Sequence, residues 1–256
     1  MPFTLAHPAA VLPLRRYAAL PALVAGALAP DVPYYLPWPG GVPRTHTPVG
    51  LLGWDLLFGL ALLAVLRVVA APLLALSPVG WRRRITLPRW KIRSVGGAVA
   101  VVLAVWLGAA THLVWDAFTQ TGGPAVQRWV WLRVAVIDPH RLYNVLGYVS
   151  SAGGILVLGI ALLHWYRRTP PAAAVVRTMP SPGRPLIVAA LVAATAAGAA
   201  IALTDPVIHV SGYDLMRRAL IGGVRGCALG VLAYALGWWL VVGGEPHQAR
   251  SPRTGP

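Results

Sequence analysis

Cysteine is all but missing from this chain. With Cys227 alone among 256 residues, a disulfide framework and a thiolate metal site are both excluded. A single small side chain in an apolar run reads as packing. Acids are scarce as well: seven Asp and Glu against 22 Lys and Arg, with Glu245 the single glutamate. Charged residues make up only 11% of the chain while 57% is hydrophobic, and the mean hydropathy is +0.65. A water-soluble fold cannot hide that much apolar surface, so a soluble enzyme or binding module is excluded. The positive stretch and uninterrupted apolar run of a signal peptide are missing from the first residues, so the segment around His7 is expected to stay in the mature protein.

What is present is a series of apolar runs near the roughly 20 residues needed to cross a hydrocarbon core. The best windows are 51–76, 97–118, 145–165, 186–204 and 219–242. They predict an all-α, multispanning helical membrane protein with about five transmembrane helices. A sixth stretch, 17–29, begins after Arg15-Arg16 and stops at Pro30-Asp31, too short to cross, and fits a buried or interfacial helix. Tryptophans such as Trp54, Trp115, Trp129 and Trp131, and Trp81 and Trp165, fall near the span ends like an aromatic belt. The small-residue run 189–200, with Gly198, suits close packing of the fourth span on a neighbour.

The basic excess has a topological use. Twelve Lys and Arg follow spans one, three and five, including Arg82-Arg83-Arg84, Lys91, Arg167 and Arg168, against eight in the opposite loops. The positive-inside rule puts the twelve in the cytoplasm and the amino-terminal fifty residues outside a cell membrane. A pI near 11.4 without a nucleic-acid motif, its arginines in short juxtamembrane loops, points to membrane lipids as partners rather than nucleic acid.

On the outer side this topology gathers His7, Asp31 and His46 with the pentad His112-Leu-Val-Trp-Asp116 at the end of the second span. Residues four apart on a helix share a face, so His112 and Asp116 can address one ion. Asp31 follows Pro30 where the short helix stops, and His46 sits in a loop that can fold back over the second span. Imidazoles with carboxylates are donors for a divalent cation, zinc first. All five are candidate metal ligands, with Asp31 and Asp116 also candidate proton acceptors. Two further polar residues lie within spans, Asp55 four residues into the first and Arg225 six into the fifth. Asp55 is either an ion-pair partner for Arg225 or a carboxylate that orients His112.

The segments Pro2-Phe-Thr-Leu-Ala-His7, Ala25-Gly-Ala-Leu-Ala-Pro-Asp31, Thr45-His46-Thr47, Thr111-His112-Leu-Val-Trp-Asp116 and Tyr143-Asn144 resemble a bacterial membrane family labelled domain of unknown function 4184. That family is similar, more distantly, to membrane-bound metal-dependent hydrolases and to the zinc-dependent phospholipase C and nuclease group. Their ligand order of His, Asp, His and then His-x-x-x-Asp matches His7, Asp31, His46, His112 and Asp116. The resemblance implies a metal site and phosphodiester hydrolysis. This chain departs from the soluble enzymes in lacking their later His-x-x-x-Glu pair, with His140 the one later outer-loop histidine close in sequence.

The expected organisation is a site-bearing membrane domain at 1–168, a Pro- and Arg-rich cytoplasmic loop at 169–185, two packing helices at 186–243 and a disordered basic tail at 244–256. The expected function is metal-dependent hydrolysis of a lipid or cell-envelope phosphoester or ester at the extracytoplasmic face. The alternative is a non-enzymatic membrane protein whose His/Asp cluster is a structural hydrogen-bonded network or a metal clip.

Overall fold

Apolar runs bounded by proline, glycine and arginine become long helices in the computed structural model, which describes residues 3–36, 43–87, 94–172 and 183–242. The short helix α1 (Leu20–Leu28) is followed by α2 (Trp54–Leu76), α3 (Val95–Thr119), α4 (Leu142–Arg168), α5 (Gly183–Ala202) and α6 (Gly212–Val242). The last five are long and apolar enough to cross a membrane, and the one sheet among the described residues is a two-stranded hairpin, Ala135–Ile137 with His140–Arg141. Expectation and structure agree on an all-α multispanning class. Residues 88–93, the central part of the Pro- and Arg-rich loop at 173–182 and the tail at 243–256 lie outside the described residues.

Two compact units divide the chain, Met1–Val65 with Lys91–Trp165, and Leu66–Trp90 with Tyr166–Pro256. In the first, α1 lies buried on α3. The stretch expected at 17–29 is helical over Leu20–Leu28, and Ala22, Leu23, Ala25, Gly26 and Ala27 are buried. Glycine sets the distance between these two helices. A Cβ at Gly26 would strike the Val105 carbonyl, and one at Gly108 would strike the Leu23 carbonyl and the Ala27 amide. Gly59 of α2 faces Val105 and Ala29 in the same way.

Ahead of α1, 3-10 turns at Thr4–Ala6 and Leu12–Arg16 flank the helical turn Pro8–Val11. After α1 the chain tightens into a 3-10 turn, Ala29–Tyr35. The helix Pro48–Leu52 is capped by Thr47, whose Oγ1 accepts from the Gly50 amide at 2.9 Å. Trp106 of α3 ties it down by donating Nε1–H to the Leu51 carbonyl at 2.8 Å.

In the second unit the small-residue stripe does what its composition suggests. Gly198 of α5 meets Gly222 and Gly226 of α6, where added Cβ atoms would strike the Gly222 and Gly198 carbonyls. Proline inside α2 leaves its mark here. Pro72 has no N–H to give the Val68 carbonyl, and the Trp239 indole donates to that oxygen at 2.9 Å instead. Tyr234 donates to the Pro72 carbonyl at 3.0 Å.

Candidate metal centre

Each residue of the cluster is delivered by a local feature of the backbone. The glycine contact between α1 and α3 brings the Ala27 carbonyl to 2.7 Å from His112 Nδ1. With Nδ1 facing a carbonyl, that nitrogen carries the proton and Nε2 is left as the lone-pair donor. One turn further along α3, Asp116 Oδ2 lies 3.2 Å from His112 Nε2. The 3-10 turn after α1 brings in Asp31, with Oδ1 3.7 Å from His112 Nε2. Gly50 packs its Cα against the Arg44 and Thr45 carbonyls, folding the loop back. His46 Nε2 thereby stands 3.2 Å from Asp116 Oδ2 and 3.4 Å from Asp31 Oδ1.

Ligand atoms of Asp31, His46, His112 and Asp116 lie within 4.8 Å of one another and could hold a metal ion. Three of the four residues are buried, with His112 0%, Asp31 1% and Asp116 4% exposed, while the His46 side chain keeps 22%. His46 Nε2, His112 Nε2, Asp31 Oδ1 and Asp116 Oδ1 have no hydrogen-bond partner. Buried polar atoms left this way cost free energy, and a shared cation would satisfy all of them at once. His7 packs on the edge of the group. Its ring stacks on His112 with centroids 3.8 Å apart, its Nε2 is 3.7 Å from Asp116 Oδ1, and neither of its nitrogens has a hydrogen bond.

Electrostatics separates the three groups that lie outside the spans. Burial, and then the neighbouring His112, lowers the His7 imidazole to about 4. Burial works against a charged His46 too, but its contacts to Asp116 and Asp31 outweigh it and raise the imidazole to about 9. Burial pushes the Asp31 carboxyl up, and the close contact with His46, the charge of His112 and the hydrogen bond from Thr4 overcome that and hold it below its ordinary value. Without a metal, then, the group rests as a neutral His7 beside a protonated His46.

Several supporting residues escaped the sequence. Thr4 Oγ1 donates to Asp31 Oδ2 at 2.5 Å and sits 3.0 Å from the Tyr35 hydroxyl. Gln120, one turn beyond Asp116, donates its amide to Asp116 Oδ2. Position four after Asp116 was the available signal for Gln120; Thr4 offered none. Asp55 is fully buried, both its oxygens lack a hydrogen bond, and it feels the charges of His46, His112 and Asp31. It does not orient His112, because the Ala27 carbonyl takes Nδ1. His140 stays outside the metal-holding group and meets Tyr148 edge-on at 5.5 Å.

Beside the cluster runs an apolar groove of about 600 Å³ along α3, with Leu107, Val114, Trp115 and Phe118 on one side and Leu146 and Ser150 of α4 on the other. Trp115 is the wall between groove and cluster. Its ring lies 5.1 Å from that of His7, and its Nε1 donates to Ser150 Oγ at 3.0 Å.

Fold and site together define a multi-pass helical membrane protein with a buried His/Asp group able to hold a metal ion. The chain belongs to the family described as domain of unknown function (DUF4184), whose family model matches residues 1–236. Neither curated proteins nor solved structures give a match.

Proposed function

We propose that this protein is a membrane-embedded metal-dependent hydrolase acting on a phosphoester or ester of a lipid or cell-envelope substrate, with its site on the extracytoplasmic side of the cell membrane. The observation that carries the reading is the convergence of two imidazoles and two carboxylates within 4.8 Å, with one nitrogen or oxygen of each left without a hydrogen bond. Two carboxylates balance a divalent charge, and the mixed nitrogen and oxygen set favours zinc. His7, facing Asp116 Oδ1, is a further donor at the edge. A divalent cation held here supplies Lewis acidity to water and to a phosphoryl or carbonyl oxygen.

The residues of the chain supply the rest. Thr4 and Gln120 hold Asp31 Oδ2 and Asp116 Oδ2, so that either carboxylate, where not committed to the metal, can accept a proton from water. The partly exposed His46 marks the approach. The apolar groove behind Trp115 suits an acyl chain, which favours a lipid among envelope substrates. The ligand order shared with the zinc-dependent phospholipase C and nuclease group, and the twelve-to-eight bias of basic residues, support reaction class and sidedness.

A structural clip is the second reading, favoured by the near-complete burial of three ligands; a closed site has no position for water. The deciding experiment is metal content by mass spectrometry of detergent-purified protein, for wild type, His112→Ala and Asp116→Ala, followed by hydrolysis of chromogenic and lipid phosphodiesters. Near-stoichiometric zinc, lost in both folded variants, with turnover lost in parallel, is the expected result. Zinc without turnover of any ester leaves the clip. Folded wild type that takes up no metal when zinc is supplied sinks the hydrolase and the metal clip and leaves a polar structural cluster.

A further inference from the structure

The second unit carries a polar site of its own, in the half of the chain that composition alone assigns to packing. Between the end of α5 and the first half of α6 lies a cavity of about 440 Å³. Arg218 and Arg225, both of α6, line it together with Asp205. The two arginines are seven residues apart, two helical turns or about 10.5 Å along one face of a helix long and apolar enough to span a membrane. A guanidinium inside a span costs about 2.5–3.5 kcal/mol on insertion scales.

The anionic side of the cavity is already committed. Asp205 Oδ1 caps the turn Pro206–His209 by accepting from the Val207 amide at 3.0 Å, and Oδ2 pairs with Arg218 Nη1 at 3.1 Å. One carboxylate and two guanidinium groups line the cavity, so the lining carries net positive charge. Arg218 Nε is buried and has no hydrogen bond. The Thr204 hydroxyl donates to the Ile201 carbonyl at 2.8 Å, which leaves the arginines as the donors. The remaining lining is largely apolar, from Ile201, Ala202 and Ile221. Gly198, Gly222 and Gly226 lock α5 to α6, so the cavity is held before any ligand arrives.

A pair of guanidinium forks beside an apolar wall matches a phosphate attached to a hydrophobic body. We propose that this cavity binds the phosphate of an anionic phospholipid, Arg218 and Arg225 holding the headgroup and Ile201, Ala202 and Ile221 taking the first part of the apolar portion. Asp205 is then a built-in competitor for Arg218, and the site is independent of the metal cluster.

The test is native mass spectrometry of the full chain in mild detergent, titrated with phosphatidylglycerol or with phosphatidylcholine of the same acyl chains. Phosphatidylglycerol should bind about tenfold more tightly, because its headgroup has no quaternary ammonium to offset the phosphate charge against Arg218 and Arg225, and Arg218→Gln with Arg225→Gln should erase the preference. Asp205→Asn keeps a capping oxygen for Val207 while freeing Arg218, and should tighten phosphatidylglycerol binding several-fold. Inorganic phosphate at millimolar concentration should not displace the lipid. Equal retention of the two lipids by wild type, or a preference that survives in the folded double variant, overturns the proposal. Inorganic phosphate binding as tightly as the lipid assigns the site to free phosphate and overturns it likewise. Should the double variant fail to fold, Asp205→Asn and Arg225→Lys decide, and unchanged phosphatidylglycerol affinity in both is the adverse outcome.

Discussion

Where α1 meets α3, and again where α5 meets α6, glycines let two backbones touch, yet the two contacts are put to different use. At Gly26 and Gly108 the close approach carries a carbonyl to a histidine. Ala27 reaches His112 Nδ1 at 2.7 Å, which sets the free lone pair on Nε2 towards Asp31 and Asp116. At Gly198, Gly222 and Gly226 the same device joins two helices beside the cavity lined by Asp205, Arg218 and Arg225, with no histidine at the contact. A small-residue crossing is therefore a fastening in itself, and becomes a site only when polar groups stand within a turn or two of it.

The largest expected effect comes from breaking one contact and sparing the other. Gly108→Leu forces a branched side chain into the Leu23 and Ala27 backbone, which cannot give way as a side chain tip would. A cost of about 3 kcal/mol or more is expected, with α1 displaced and bound metal lost. Gly198→Leu meets the Gly222 carbonyl in the second unit and should disturb α5 and α6 while metal stays at wild-type stoichiometry. Metal content and thermal unfolding of both variants check this; equal metal loss from both would erase the distinction between the two contacts.

Smaller losses should follow from the residues that hold the carboxylates. Thr4→Ala removes the hydroxyl on Asp31 Oδ2, and Gln120→Leu removes the amide on Asp116 Oδ2. Each should weaken zinc about 10- to 100-fold with the fold intact, the usual cost of losing a partner that orients a ligand. His7→Ala should fall in the same range, well short of His112→Ala, because His7 sits at the edge of the four-residue group. Competition titration with a chelating dye measures all three. A His7→Ala variant as metal-free as His112→Ala would move His7 into the group.

What the sequence disclosed and what it withheld divide along the same lines. The spans could be read because each needs only its own run of apolar residues, and the pairing of His112 with Asp116 because four residues make a helical turn. The start of α6 was set at 219 by hydropathy, yet the helix begins at Gly212. Asp214, Arg217 and Arg218 lower the apolar average there, while Ser211 caps the helix by accepting from the Asp214 amide at 3.1 Å, a signal that was available in Ser-x-x-Asp. The Ala27 carbonyl, Thr4 and Tyr35 could not be read, since each gains its role from a crossing between segments distant in the chain. A backbone carbonyl leaves no mark in a sequence at all.

The least drastic perturbation is pH, and it separates by sign the two cluster histidines, His7 and His46, that lie outside the spans. The metal-free His46 imidazole titrates near 9, against an ordinary 6.5. The folded state thus holds a proton that the unfolded chain releases, and this stabilisation is complete below about 6.5 and lost as pH rises towards 9. His7, lowered to about 4 by burial, runs the other way, leaving the metal-free fold unaffected above about 6.5 and costing stability as pH falls from there towards 4. Metal binding meets only the first of these near neutrality, because zinc takes a neutral imidazole and must expel the His46 proton. Zinc affinity should therefore rise by up to tenfold per pH unit between about 6.5 and 8.5, with the His46 proton released to buffer. Calorimetry in two buffers of different ionisation enthalpy measures the release directly. A pH-independent affinity would mean that His46 is neutral before zinc arrives, and that its contacts to Asp31 and Asp116 are made by the metal rather than by a proton.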